Sequence, residues 1–236
     1  MKLAALLPLV TLGLVAAAPA PEKRASGVQG CDISNYQPNF SYASAADAGA
    51  KFVIIKATEG TSYTSPSFSR QYSGATDAGF LRGAYHFAHP DSSSGAAQAN
   101  FFLANGGGWS GDGRTLPGMV DLEYNPAKNS NSCYGLSQSA MVSWIRSFTS
   151  TYYSKTGRYP MIYTTNDWWR TCTGNSDAFS STSPLVLARY SSSGPGTIPG
   201  GWPYQTIWQN SDSFAAGGDS DIFNGSLDGL KRLASG

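Results

Sequence analysis

Eight short apolar runs punctuate the chain, and their spacing limits what it can fold into. They are Val28 to Ile33, Phe52 to Ala57, Leu81 to Phe87, Gly118 to Leu122, Pro160 to Thr164, Pro184 to Ala188, Thr206 to Gln209 and Ser220 to Phe223. Segments with helical character separate the early runs. Tyr42 to Ala48 closes at Gly49, Pro66 to Ala78 at Gly79, and Ser94 to Asn105 at three glycines. Ser137 to Lys155 carries an apolar stripe of Met141, Trp144, Ile145, Phe148, Tyr152 and Tyr153 and closes at Gly157, the stop residue of many helices. After Pro184 the connections are rich in Gly, Pro and Ser with little helical character. Alternating strands and helices point to an α/β fold with a parallel sheet. Eight runs predict an irregular (β/α) TIM-like barrel of eight strands with helices lost in the last third. A doubly wound open sheet is the second option, but no Gly-x-Gly-x-x-Gly turn follows any run.

The first residues read as targeting rather than fold. Met1-Lys2 gives a positive start, Leu3 to Val15 is apolar, and Ala16 to Ala20 offers small residues for cleavage. This is the pattern of a secretory signal peptide, too short for a stable membrane span. Lys23-Arg24 then reads as a dibasic processing site, so residues 1–24 are expected to be removed and 25–236 to form one domain with a full-sized core. Subtracting the net +2 of Lys2, Glu22, Lys23 and Arg24 from the whole chain's +1 leaves about −1. No basic stripe is present, which argues against nucleic acid as a partner. Charged residues make up only 13% of the chain, about half the usual share, and small polar residues and tyrosine take their place. A soluble, extracellular, monomeric protein without a membrane partner is the expectation.

In an oxidising compartment two of the three cysteines can pair. Cys133 and Cys172 both lie in polar, loop-like stretches and are predicted to form the disulfide, with Cys31 a buried free thiol inside the first run. No Cys-x-x-Cys occurs and neither histidine has ligand spacing to a cysteine, so no metal site is expected. Asn39-Phe40-Ser41 and Asn224-Gly225-Ser226 are glycan acceptor sequons.

In such a barrel the site lies where the C-terminal ends of the strands meet. The fourth run ends in Asp121-Leu122-Glu123. Side chains alternate along a strand, so the two acids share a face about 6.6 Å apart along the backbone while Leu122 takes the other. Two carboxyls so close raise one pKa, and an acid beside a carboxylate is what glycosidic cleavage uses. Other run ends contribute Asp32, Lys56 and Glu59, Tyr85 and His86, Tyr163, Arg189 and Tyr190, Trp208 and Gln209, and finally Asp219 and Asp221. Singly these have plainer readings: Asp32 as a cap, Glu59-Gly60 as a turn, His86 as a hydrogen-bonded structural group, Trp168-Trp169 as packing. Acids and aromatics gathered on one rim describe a sugar cleft.

Five segments occur in an order that resembles glycoside hydrolase family 25, the muramidase family, in a secreted, fungal-like form. They are Asp32-Ile33-Ser34-Asn35-Tyr36-Gln37, Phe52 to Gly60, Gly83-Ala84-Tyr85-His86-Phe87, Val120-Asp121-Leu122-Glu123 and Thr206-Ile207-Trp208-Gln209, and the match runs from about Val28 to Phe223. The resemblance implies hydrolysis of the β-1,4 bond between N-acetylmuramic acid and N-acetylglucosamine in bacterial peptidoglycan, without metal or organic cofactor. Carried over by motif, Glu123 is the general acid and Asp121 its partner carboxylate. Asp121 then stabilises an oxocarbenium-like state, attacks as nucleophile, or orients the substrate's acetamide. Asp32 and Asp219 are the other cleft acids, and Asp221 stands where the family's Asp-x-Asn-x-Phe motif carries Asn. Tyr85, Tyr163, Glu59, Trp208 and Gln209 complete the expected substrate-binding set.

Two rival readings follow from the same residues. One is a barrel that binds peptidoglycan or chitin without turnover, against which the four acids Asp32, Asp121, Glu123 and Asp219 argue. The other is a chitinase, whose Asp-x-x-Asp-x-Asp-x-Glu motif is missing its upstream acids before Val120-Asp121.

Overall fold

The computed structural model describes residues 27–127 and 131–236; the predicted signal peptide and dibasic site, residues 1–24, lie outside them. Within these bounds the chain forms strands β1 (Val28–Ile33), β2 (Phe52–Glu59), β3 (Tyr63–Thr64), β4 (Leu81–Phe87), β5 (Met119–Asp121), β6 (Met161–Thr165), β7 (Leu185–Ala188), β8 (Ile207–Ser211) and β9 (Asp219–Phe223). The helices are α1 (Tyr42–Asp47), α2 (Phe68–Asp77), α3 (Gly95–Ala104), α4 (Gln138–Thr156), α5 (Asn166–Thr173) and α6 (Leu227–Ser235). Every strand of the ring pairs with two neighbours, and β1 bonds to both β2 and β9, so the sheet closes into an eight-stranded barrel with β3 as a short hairpin on β2. Closure removes the exposed edges that an open sheet would have to protect.

The barrel is not wholly parallel. Strand β9 runs antiparallel to both β8 and β1, because only the short turn through Gly217-Gly218 joins it to β8. A connection that short cannot make the crossover that parallel neighbours need. As a result the start of β9, not its end, reaches the rim where the other strands finish.

Alternation sorts the side chains into an inner core and two outer clusters, one of them around β1, β2, α1 and α2. Phe52, Ile54, Leu81, Met119, Met161, Val186, Ile207 and Phe223 fill the barrel interior. Their alternates face the helices: Val120, Leu122, Ile162, Leu185 and Leu187 pack against Met141, Trp144, Ile145, Phe148 and Tyr152 of α4. The period-3.6 stripe of α4 is used in this contact except for Tyr153, which is exposed and stacks on Tyr159. Serine or threonine side chains cap α1, α3, α4, α5 and α6 at Ser41, Ser94, Ser137, Thr165 and Ser226, each accepting a backbone N–H. Gly157 ends α4 in the left-handed conformation at φ 73°.

Two helices were not expected. Helix α5 follows β6 directly and buries both Trp168 and Trp169, so the tryptophan pair is core. Helix α6 closes the far end of the barrel, where Leu230 and Ala234 are fully buried beneath Phe223 and Leu81. The loss of helices is confined to the β7–β8 and β8–β9 connections. The Cys133–Cys172 disulfide ties the segment after β5 to α5, and Cys31 is a buried free thiol on the outer face of β1.

Candidate active site

Strand parity builds the site. Asp121 ends β5 facing inward, and Leu122, which is 1% exposed, turns into the helical core. The Leu122 amide donates to the Tyr163 carbonyl at 3.0 Å, which carries the extended chain on to Glu123. Asp121 and Glu123 therefore open into one cleft at the rim, together with Asp32, Lys56, Tyr85, Tyr163, Gln209 and Asp219. Met119 forms its floor, and exposed Tyr36 stands at its edge. A second hollow continues beyond Glu123, walled by Tyr124, Tyr163, Arg189 and Tyr190.

Gln209 is the hub of the wall opposite. Its amide N–H donates to Asp32 at 2.7 Å and to Asp219 at 3.3 Å, and its carbonyl accepts from the hydroxyls of Tyr163 at 2.8 Å and Tyr190 at 3.1 Å. All its hydrogen-bonding capacity on this side is engaged, so it positions its neighbours. Asp219 arrives beside Asp32 because the two are register partners on β9 and β1. The turn before Asp219 needs glycine. Gly218 has φ +80°, and a Cβ there would come within 2.2 Å of the Asp32 carbonyl oxygen.

Two predicted substrate-binding residues take other places. Trp208 sits between inward Ile207 and Gln209, so its side chain faces outward beside Leu187, and its indole N–H donates to the Arg189 carbonyl at 2.8 Å. Glu59 is not in the cleft wall. A bulge between Lys56 and Thr58 shifts the register of β2, and Glu59 instead pairs with Lys56 at 2.6 Å and His89 at 2.8 Å. The His89 hydrogen bond, and then the Lys56 hydrogen bond and charge, hold its carboxyl down at about 2 against the effect of burial. What reaches the cleft from β2 is Lys56, a residue the run-end pattern contained without marking it. The signal was its parity with Phe52 and Ile54.

His86 faces away from the cleft. Its two ring nitrogens contact Thr58 at 2.7 Å and Gln98 at 2.9 Å. Gln98 Oε1 can only accept, so Nε2 carries the proton and Nδ1 accepts from the threonine. Burial drives its pKa down to about 4, and it is a structural, neutral imidazole.

Electrostatics in the cleft is dominated by burial of like charges. Burial, then the Asp219 charge, lifts Asp32 to about 7 against the pull of its Gln209 hydrogen bond. Burial and the neighbouring Glu123 push Asp121 well above the carboxylate range, while Lys56 opposes them. Burial and the Asp219 charge raise Glu123, while the nearby Tyr163 hydroxyl and the Lys56 ammonium oppose them. The four acids cannot all ionise at neutral pH. Among the described residues no cluster of His, Cys, Asp and Glu has the arrangement of a metal site.

A closed barrel with paired carboxyls at one rim defines a carbohydrate-cleaving class of protein. The sequence of residues 31–219 matches the model of glycosyl hydrolases family 25, and the chain belongs to this family. It is 63% identical over 213 residues to an N,O-diacetylmuramidase of Chalaropsis sp, covering 89% of this chain and all of that one. An N,O-diacetylmuramidase of Arthroderma benhamiae is 59% identical over the full length of both. Among solved structures, a family GH25 lysozyme from Aspergillus fumigatus superposes with a TM-score of 0.87 at 59% identity, over 89% of this chain and all of that chain.

Proposed function

We propose that the protein is a secreted, monomeric lysozyme that hydrolyses the β-1,4 bond between N-acetylmuramic acid and N-acetylglucosamine in bacterial peptidoglycan. The observation that carries this reading is the position of Glu123, which lines both hollows of the rim while Asp32, Asp121 and Asp219 line only one. A bond lying over Glu123 joins one sugar in the acid-rich hollow to another in the tyrosine-walled hollow. Family membership and the muramidases to which the chain is similar support peptidoglycan as the polymer.

Burial raises both Asp121 and Glu123, and the Glu123 charge raises Asp121 further, so the protonated form is favoured at both. Asp121 is the deeper of the two at 7% exposure. Glu123 is the one that can present the proton to the leaving oxygen. Tyr163 and Lys56 favour its charged form, so they stabilise the carboxylate that remains. Asp121, in the acid-rich hollow, faces the sugar whose anomeric carbon gains positive charge. The amino-terminal leader directs secretion and is removed at Lys23-Arg24. Among the described residues no helix is long and apolar enough to cross a membrane.

Mass analysis of fragments released from purified peptidoglycan tests the reading. Reducing-end muramic acid supports it, and reducing-end glucosamine sinks it. Glu123→Gln is expected to lose wall clearing by about a hundredfold or more while still binding the wall. Binding by the wild type without any clearing would establish the non-hydrolytic barrel instead.

A further inference from the structure

One buried acid has no part in this chemistry. Asp221 lies one alternation below Asp219 on β9, facing the barrel interior, with Gly30 of β1 and Gln209 of β8 as its register partners. It is 1% exposed, and neither carboxyl oxygen receives a hydrogen bond from an N–H or hydroxyl of a described residue. On the neighbouring strand the next inward residue after its partner Gly30 is Asp32, and the two carboxyls influence each other. Two neighbouring carboxyl groups in this setting need a proton, because a buried pair of charges without donors is strongly disfavoured.

The surroundings decide which acid holds it. Asp32 receives the Gln209 amide N–H at 2.7 Å and borders the open cleft. Asp221 has no donor and no opening. The titratable groups that face Asp221 are Asp32 from β1 and Asp219 from its own strand; the nearby Cys31 thiol of β1 points to the outer face, and β8 contributes the uncharged Gln209. No cation is among them. Of the two, Asp221 therefore holds its proton to higher pH, and Asp32 is the one that ionises first.

We propose that Asp221 is a positioning residue, a buried carboxylic acid whose O–H donates to Asp32 and fixes the Asp32 carboxyl at the cleft wall as that group ionises. It touches neither substrate nor the reacting atoms. Its role rests on the reading of the cleft as a hydrolytic site, in which Asp32 acts as a charged cleft residue. The smallest change consistent with this role is to Asn, whose amide N–H replaces the acid O–H.

The experiment compares wild type, Asp221→Asn and Asp221→Leu, each shown to be folded by its melting transition. Infrared difference spectra of wild type minus Asp221→Asn are recorded at neutral pH without substrate. A carboxylic-acid carbonyl band in the wild type is expected, and its absence overturns the proposal whatever the activity. In peptidoglycan hydrolysis across pH, Asp221→Asn is expected to keep near wild-type rates and the same acid limb. Asp221→Leu is expected to lose about tenfold, with the acid limb moved up by about one pH unit because Asp32 has lost a donor. Equal loss in both variants, or an acid limb that moves down in both, shows a charged Asp221 and overturns the proposal. A wild type that cleaves no peptidoglycan counts against the proposed function alone, since the infrared band is read without turnover.

Discussion

Asp32 and Asp219 stand opposite each other on antiparallel strands, and one Gln209 amide donates to both carboxyls. The reversed direction of β9 makes this possible, since it delivers the first residue of the strand to the rim where β1 ends. A single neutral side chain thus holds two carboxyls at a fixed separation while its carbonyl fixes Tyr163 and Tyr190 on the other side.

Replacing that hub has a defined outcome. Gln209→Leu removes the donor from two carboxyls and the acceptor from the buried Tyr163 hydroxyl and the exposed Tyr190 hydroxyl; a buried group left unpaired costs about 1–3 kcal/mol. A fall in kcat/KM of about ten- to a hundredfold is expected, with Gln209→Glu lower still because it adds a further charge beside Asp32 and Asp219. Initial rates on purified peptidoglycan measure this, and a Gln209→Leu enzyme with wild-type rates would show that the four contacts are dispensable.

The strained charge of Asp32 has a pH signature. Its carboxyl is lifted from the ordinary 3.8 to about 7 in the fold, so the folded state keeps a proton that the unfolded chain releases. The resulting stability is full below about pH 4 and is lost as pH rises through 7. Asp32→Asn has no such loss. Its melting temperature relative to wild type should rise between pH 4 and 7 and level off above that, while hydrolysis collapses. A difference that stays flat across this window would show that Asp32 is not strained.

How much of this was legible in the chain depends on which physical regularity each feature obeys. Asp121, Leu122 and Glu123 could be assigned to faces because alternation is a local property of any strand. The same rule, applied to Ile207, Trp208 and Gln209, would have turned Trp208 outward; treating the run end as a unit hid that. The bulge after Lys56 was not legible, since it depends on pairing with β4. Neither was the direction of β9, which its apolar residues do not encode. Helix α6 has a serine cap and leucines at 227, 230 and 233, but Gly229 lies within it and its partner face exists only once the barrel has closed. The pairing of Cys133 with Cys172 was readable from the polar residues around each in sequence, but the loop expected around Cys172 is helix α5, which buries that sulfur in the outer core.

His86 imposes the opposite pH dependence from Asp32. Its pKa falls from 6.5 to about 4 on folding, so the unfolded state takes up the proton first. The stability it contributes is full above about pH 6.5 and is lost as pH falls to 4, amounting to about 3 kcal/mol at the end of that window. His86→Leu should weaken the fold at neutral pH, where Gln98 and Thr58 lose a partner, and should flatten the acid side of the stability curve. Denaturant midpoints measured from pH 7 to 4 on both proteins check this; parallel curves would assign the acid sensitivity elsewhere.

The disulfide separates stability from catalysis. Cys133 and Cys172 close a loop with a sequence separation of 39 residues, for which the loss of chain entropy in the unfolded state is worth about 4 kcal/mol. Both sulfurs sit against the outer core with Trp168 and Trp169, and neither cysteine lines the cleft. The double variant Cys133→Ser/Cys172→Ser is therefore expected to unfold at markedly lower urea yet to hydrolyse peptidoglycan at close to the wild-type rate well below its melting temperature. Reducing agent should shift the wild-type midpoint towards that of the variant and leave the variant unmoved. A variant that keeps its stability but loses turnover would instead place the disulfide in control of the segment between Glu123 and α4, and through it of the proton donor.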